Sequence, residues 1–188
     1  MPQTRRSYLA SIVGGSVILS GCSSNQTDSS SGGSGDDEDY SNQNTERPDA
    51  DGDGVPDSED DYPNDASLSV REEVLSERQN VLEDEWLTWE LPVETETYFE
   101  YDMIVRSGPS VDLYTVTESE YSYFESGDNF EYITGLSSPE TTGDRGDTWL
   151  ESGNYVLVVD NSEYGNATPP TNLDEDPAEV ELTVTASL

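Results

Sequence analysis

The chain has no histidine, no lysine and one cysteine, and its seven cations are all arginine, set against 42 aspartates and glutamates in 188 residues. Each shortage excludes something. Without histidine there is no Ser–His or Cys–His base, and without lysine there is no Schiff base and no Ser–Lys pair. Only carboxylates are left for catalysis. A glycosidase needs two acids about 5–9 Å apart, but among 42 acids no particular pair stands out, so the chain is expected not to be an enzyme. A net charge of −35 excludes nucleic acid as a partner, because phosphate neutralisation supplies most of that affinity. One cysteine permits no internal disulfide. Hydrophobic residues make up 31%, against roughly 45–50% apolar in ordinary domains on a scale that includes glycine. The length allows one ordinary domain plus accessory segments.

Residues 1–21 read as a signal peptide. Arg5 and Arg6 precede an apolar stretch from Tyr8 to Leu19, followed by Ser20-Gly21-Cys22. From Tyr8 to Gly21 there are about 14 residues, short of the roughly 20 that a membrane-spanning helix needs. Thr4-Arg5-Arg6-Ser7-Tyr8-Leu9 resembles the twin-arginine export motif, and Leu19-Ser20-Gly21-Cys22 resembles a lipobox. The resemblance implies export by the twin-arginine route, cleavage before Cys22, lipidation of its thiol, and anchoring to membrane lipid on the outer face of the cell membrane. Loss of both arginines takes the net charge from −35 to −37.

Residues 22–48 follow as the lipidated cysteine and a Ser/Gly/Asn/Asp tether without apolar periodicity, expected to be disordered. A flexible chain of that length reaches roughly 30 Å r.m.s.. Asn25-Gln26-Thr27 and Asn166-Ala167-Thr168 match the glycosylation sequon. The acidic excess beyond residue 67 is read instead as a solvated surface. At about 1 M salt the Debye length falls to about 3 Å, so repulsion among surface carboxylates is screened. The replacement of lysine by arginine or acid resembles the secreted proteins of extremely halophilic archaea.

Residues 49–66 carry the most chemistry. Asp49, Asp51 and Asp53 occupy loop positions 1, 3 and 5, Gly54 position 6, the Val55 carbonyl position 7, Asp57 position 9 and Asp60 position 12. That is the ligand spacing of an EF-hand-type calcium loop. Alternate oxygens converge on one point only if the backbone wraps round it, and glycine permits the tight turn. A set of hard oxygens suits Ca²⁺ better than Mg²⁺ or Zn²⁺. With Pro56, Pro63 and Asp65 the segment resembles a single thrombospondin type 3 repeat. That resemblance implies a structural ion, with Asp65 available to a second one. No amphipathic helix precedes Asp49, which argues for bracing rather than sensing.

Residues 67–188 alternate as strands. Leu87, Trp89 and Leu91 share one parity, which places Trp89 inside and turns Trp86 towards solvent. Phe99-Tyr101-Met103-Val105 and Val180-Leu182-Val184-Ala186 repeat the pattern, Val111-Leu113 opens a further strand, and Tyr155–Val159 is apolar on both faces, as a central strand would be. Glu118–Ser126 is expected to form one helical turn. Ser67–Leu82 fits either an amphipathic helix or a hairpin strand, with strand favoured in its second half. Turn clusters punctuate these runs, and the fold class expected is all-β, an antiparallel β-sandwich. Glu151–Asn161, with Gly153-Asn154-Tyr155 entering a strand that ends in Asp160-Asn161, resembles the penultimate strand of pre-peptidase C-terminal and Golgi-dynamics (GOLD) jelly rolls. The resemblance implies a non-catalytic accessory module.

The expected function is therefore a cell-surface lipoprotein, a binding or structural module whose partner is an envelope protein or a glycan. Two alternatives are a carbohydrate-binding module that presents Trp86, Tyr98, Tyr114, Tyr121 and Tyr123 to a sugar, and a carboxylate hydrolase.

Overall fold

A computed structural model describes the backbone of residues 5–8 and residues 47–170 and 175–187. Cys22, the tether and the Asn25 sequon lie outside the described residues. Eight strands form the sandwich: β2 (Arg71–Val81), β3 (Glu85–Val93), β4 (Thr97–Ser107), β5 (Val111–Thr117), β6 (Ser138–Thr141), β7 (Gly143–Leu150), β8 (Gly153–Asn161) and β9 (Ala178–Ser187). One sheet runs β2-β9-β4-β7 and the other β3-β8-β5-β6, with every neighbour antiparallel. The strands thus alternate between sheets in the order of an eight-stranded jelly roll. A short strand β1 (Arg5–Tyr8) lies parallel along the outer edge of β3. Among the described residues no helix is long and apolar enough to cross a membrane.

Period-two alternation builds the main core. Leu87, Trp89, Leu91 and Val93 from β3 face Phe99, Tyr101 and Met103 from β4 and Val180, Leu182 and Val184 from β9, all buried. Registers such as Tyr101↔Val184 and Met103↔Leu182 put aromatic and branched side chains side by side. β8, between β3 and β5, carries the expected two-sided apolar run.

A second cluster explains the double-sided apolarity. Trp86, Tyr114, Val116, Val156 and Val158 on the outer face of the β3/β8/β5 sheet pack against Tyr121 and Phe124 of α1 (Glu118–Ser126). α1 is a full nine-residue helix rather than one turn. The Thr117 hydroxyl caps its N-terminus by accepting from the Glu120 N–H at 3.3 Å, and Gly127, at φ 70°, closes it in the left-handed region. Trp86 is therefore not turned to solvent. It has the parity expected, but at 3% exposure it lies under Phe124, edge-on at 5.4 Å, and Tyr164, at 5.3 Å.

β2 is strand throughout, its ambiguous first half included. It is an edge strand that buries only Leu75 and Val81, and a register shift between Glu73 and Leu75 breaks its period-two pattern. The five arginines from Arg47 onward all form ion pairs: Arg47–Glu59, Arg71–Glu100, Arg78–Glu179, Arg106–Glu181 and Arg145–Asp102. Partly exposed pairs of this kind contribute about 0–1 kcal/mol each. They place the few cations among the excess acids rather than supply the main stability.

Candidate metal centre and a buried carboxylate pair

In the neck, residues 47–70, three of the expected ligands come together, whereas Asp57, Asp60 and Asp65 are not part of that carboxylate group. Carboxylate oxygens of Asp49, Asp51 and Asp53 all lie within 4.8 Å of one another. Gly52 (φ 80°) and Gly54 (φ 98°) take the left-handed conformation that lets the chain turn round this point. The Gly52 and Gly54 N–H groups donate to the two oxygens of Asp49 at 2.8 and 3.2 Å, Val55 N–H donates to Asp53 at 2.7 Å, and Ala50 N–H donates to Asp57 at 2.7 Å. Asp57 N–H closes the loop onto the Pro48 carbonyl at 2.8 Å. Asp60 accepts from Tyr62 N–H at 2.7 Å through one oxygen.

Two carboxylate oxygens are left over. Asp51 Oδ2 and Asp60 Oδ2 are closed off from solvent and have no hydrogen-bond partner. A buried anionic oxygen without a donor costs several times what an ordinary hydrogen bond contributes. A hard cation satisfies such oxygens, and the residue set offers oxygen donors alone, so the neck fits a metal ion of that class. Asp65 is engaged elsewhere. Its Oδ1 accepts from the Ser67 hydroxyl at 2.6 Å and the Ser67 N–H at 3.1 Å, which hold its pKa below the ordinary value.

The neck is also joined to the sandwich. Tyr62 Oη donates to Glu100 at 2.7 Å, shares a hydrogen bond of 2.9 Å with the Ser187 hydroxyl, and accepts from Arg71 Nε at 2.9 Å. The Arg71 guanidinium lies 5.0 Å from the centre of the Tyr62 ring and bridges to Glu100 at 2.7 Å. Asp61 receives the Arg71 N–H at 2.9 Å. These contacts run directly from Asp60 to the outer face of the β2-β9-β4-β7 sheet, and no periodicity in the sequence announces them.

A second group of acids was not anticipated. Asp112 on β5 and Asp160 on β8 face each other in register, and both are 0% exposed. Asp112 accepts three backbone N–H groups, from Glu140 at 2.7 Å, Asn166 at 2.7 Å and Ala167 at 2.8 Å. Burial raises its pKa and these donors pull it back. Neither oxygen of Asp160 has a well-formed hydrogen bond. Burial pushes it up to about 6; the nearby Ser162 and Gly165 donors lower it only in part, and the Asp112 charge raises it further. The signal in the sequence is a carboxylate between the apolar Val111 and Leu113, and another directly after the apolar run Tyr155–Val159. The pair is sealed from solvent, and Asp112 ties the loop after β8 to β5 through Asn166 and Ala167.

The candidate sugar-facing rings are dispersed. Trp86, Tyr114 and Tyr121 are core residues, Tyr98 is half-buried and tilted 53° against Trp149, and only Tyr123 is largely open, at 51%. They form no shared platform. Asn166, in the second sequon, is exposed but accepts from Tyr114 Oη at 3.3 Å.

No protein-family model matches the chain, and no curated protein is similar to it in sequence. Among the solved structures similar to it are the following two. One is a periplasmic inhibitor of g-type lysozyme, PliG, from Aeromonas hydrophila, 10% identical over 60% of this chain and 84% of the other, with a TM-score of 0.38. The other is the pre-peptidase C-terminal domain of a collagenase from Bacillus anthracis, 10% identical over 57% of this chain and 89% of that one, with a TM-score of 0.34.

Proposed function

We propose that this chain is a non-catalytic binding or structural module, tethered by lipid at Cys22 to the outer face of the cell membrane and braced at its neck by calcium. The observation that carries the reading is the neck itself. Two of its carboxylate oxygens are buried without partners, and the same loop is fixed to the sandwich through Tyr62. Asp49, Asp51, Asp53, Asp57 and Asp60, with the Val55 carbonyl, hold the ion, and a second ion would draw Asp65 away from Ser67. Calcium here neutralises the loop and makes it a stiff spacer. It opens no groove, because the loop is already bonded to a sheet. Arg5 and Arg6 direct export by the twin-arginine route, and the acidic surface keeps the domain soluble in multimolar salt.

The test is fractionation of cells grown in high salt. The wild-type protein is expected in the membrane fraction at mature size, and Cys22→Ala should leave that fraction. Arg5→Lys with Arg6→Lys should keep the precursor inside. Chelation of calcium should expose residues 49–66 to protease while the sandwich survives. A wild-type protein found soluble in the cytoplasm, or a neck equally resistant with and without calcium, would overturn the reading.

A further inference from the structure

Beside the N-terminus of α1, the outer face of β3 and β8 holds a cavity of about 180 Å³ lined by Thr88, Glu90, Asn154, Val156, Glu118 and Tyr121. Alternation places Thr88, Glu90, Asn154 and Val156 on one face of the sheet, with Glu90↔Val156 and Pro92↔Asn154 in register. Tyr121 and Glu118 form the wall from the helix. Thr88 is 2% exposed, and its hydroxyl has no hydrogen-bond partner. That oxygen is closed off from solvent beside the cavity, and a buried hydroxyl without a partner marks a place where a polar group belongs. Glu118 and Asn154 are exposed and set the mouth.

From this arrangement we infer a binding site for one neutral sugar ring. The polar groups are of both kinds: Glu90 and Glu118 only accept, while the Asn154 amide and the Thr88 hydroxyl both donate and accept. Sugar hydroxyls also do both. An ammonium group only donates, leaving the Asn154 and Thr88 donors unused, and an anion meets two carboxylates and no cation. Val156 and the edge of Tyr121 that reaches the cavity line its apolar side. The volume is below the roughly 300–1,000 Å³ of drug-sized pockets, so the site takes a single terminal unit rather than a chain. In high salt, hydrogen bonds and apolar contact survive where simple ion pairing is screened.

The site rests on the reading of the chain as an exported surface module. In the mature protein β1 has left with the leader, so Thr88 and Glu90, its register partners through Arg6 and Tyr8, lie on a free edge strand. The glycan partner is then a terminal sugar of an envelope or surface polymer.

The test uses the mature chain, residues 22–188 with Cys22→Ser, in 2 M KCl with calcium. Binding of glucose, galactose, mannose and N-acetylglucosamine is read by saturation-transfer NMR and titration, beside methylammonium and phosphate as probes of the other ligand classes. At least one sugar is expected to bind, with Glu118→Ala and Asn154→Ala each weakening it at least tenfold. Thr88→Val should also weaken it, with no loss of melting temperature, because it deletes an unpaired hydroxyl. Absence of any sugar binding by a chain that melts cooperatively would overturn the site, as would binding of methylammonium or phosphate alone, or sugar binding indifferent to Glu118 and Asn154. Those results would leave the tether and the calcium neck standing, whereas failed membrane anchoring with sugar binding intact would refute the surface reading alone.

Discussion

Replacing Asp160 by asparagine should make the protein more stable at neutral pH, although it alters a fully buried residue. The wild-type carboxyl titrates near 6 in the fold, driven mainly by burial, and near 3.8 in the unfolded chain. The folded state therefore holds the proton more tightly, and ionising the group costs about 3 kcal/mol by pH 7. The sign follows from the raised value. The stability contributed by the protonated group is complete below about pH 4, declines as pH rises towards 6, and is gone above it. Asp160→Asn keeps the shape, stays neutral at every pH and can offer an N–H to Asp112. The wild-type and variant stabilities should converge near pH 4 and diverge by roughly 2–3 kcal/mol at pH 7, or roughly 4–12 °C in melting temperature at 2–4 °C per kcal/mol. Groups with lowered values, such as Asp65, Asp144, Glu179 and Glu181, act in the opposite direction and cancel in the difference. Chemical denaturation of both chains in molar KCl from pH 4 to 7.5 measures it. Asp112→Asn is the counter-experiment: it turns one of two acceptor oxygens into an NH2 group, leaves at least one of three backbone donors facing another donor, and should cost about 2 kcal/mol. A variant at 160 less stable than wild type at pH 7, or a difference that does not change with pH, would refute the reasoning.

Three further outcomes follow from the same geometry. Gly165→Ala would place a methyl group 2.0 Å from Asp112 Oδ2 and 3.0 Å from Asp160 Oδ2, so thermal melts should show the loop after β8 and the domain destabilised, more than an exposed Gly→Ala change would explain. Tyr62→Phe removes hydrogen bonds to Glu100, Ser187 and Arg71, at a cost of about 1–3 kcal/mol, and limited proteolysis should then cut first between residues 47 and 70. In dilute buffer far-UV circular dichroism should show partial unfolding that molar KCl or NaCl reverses, because −37 on the mature chain is tolerable only when screened.

How much was legible in the sequence differs by element. The inward parity of Leu87, Trp89 and Leu91, and of Phe99, Tyr101 and Met103, followed from alternation, because one face of each strand meets the core and nothing else competes. Trp86 shows the limit. Alternation separates two faces but does not say that a helix from a later segment covers the second one. β2 read ambiguously because an edge strand buries few residues and a register shift interrupts its period. In the neck, the wrapping of Asp49, Asp51 and Asp53 was visible because ligand spacing and glycine position are local properties of the chain. Its attachment through Tyr62 was not, since Glu100 and Ser187 lie 38 and 125 residues away. The Asp112–Asp160 pair likewise depends on which strands become neighbours, and only its placement beside apolar residues hinted at it.

The most direct measurement is calorimetric titration of Ca²⁺ into calcium-stripped residues 22–188 in molar KCl, beside the Asp51→Ala, Asp53→Ala double variant. Saturable binding to the wild type is expected, with a melting temperature that rises with calcium, by about 2.7 kcal/mol of stabilisation at a hundredfold excess over Kd. Both effects should vanish in the variant while its sandwich still melts cooperatively. Calcium uptake undiminished in the double variant, or a wild-type chain that takes up no calcium while folded, would contradict the account of the neck.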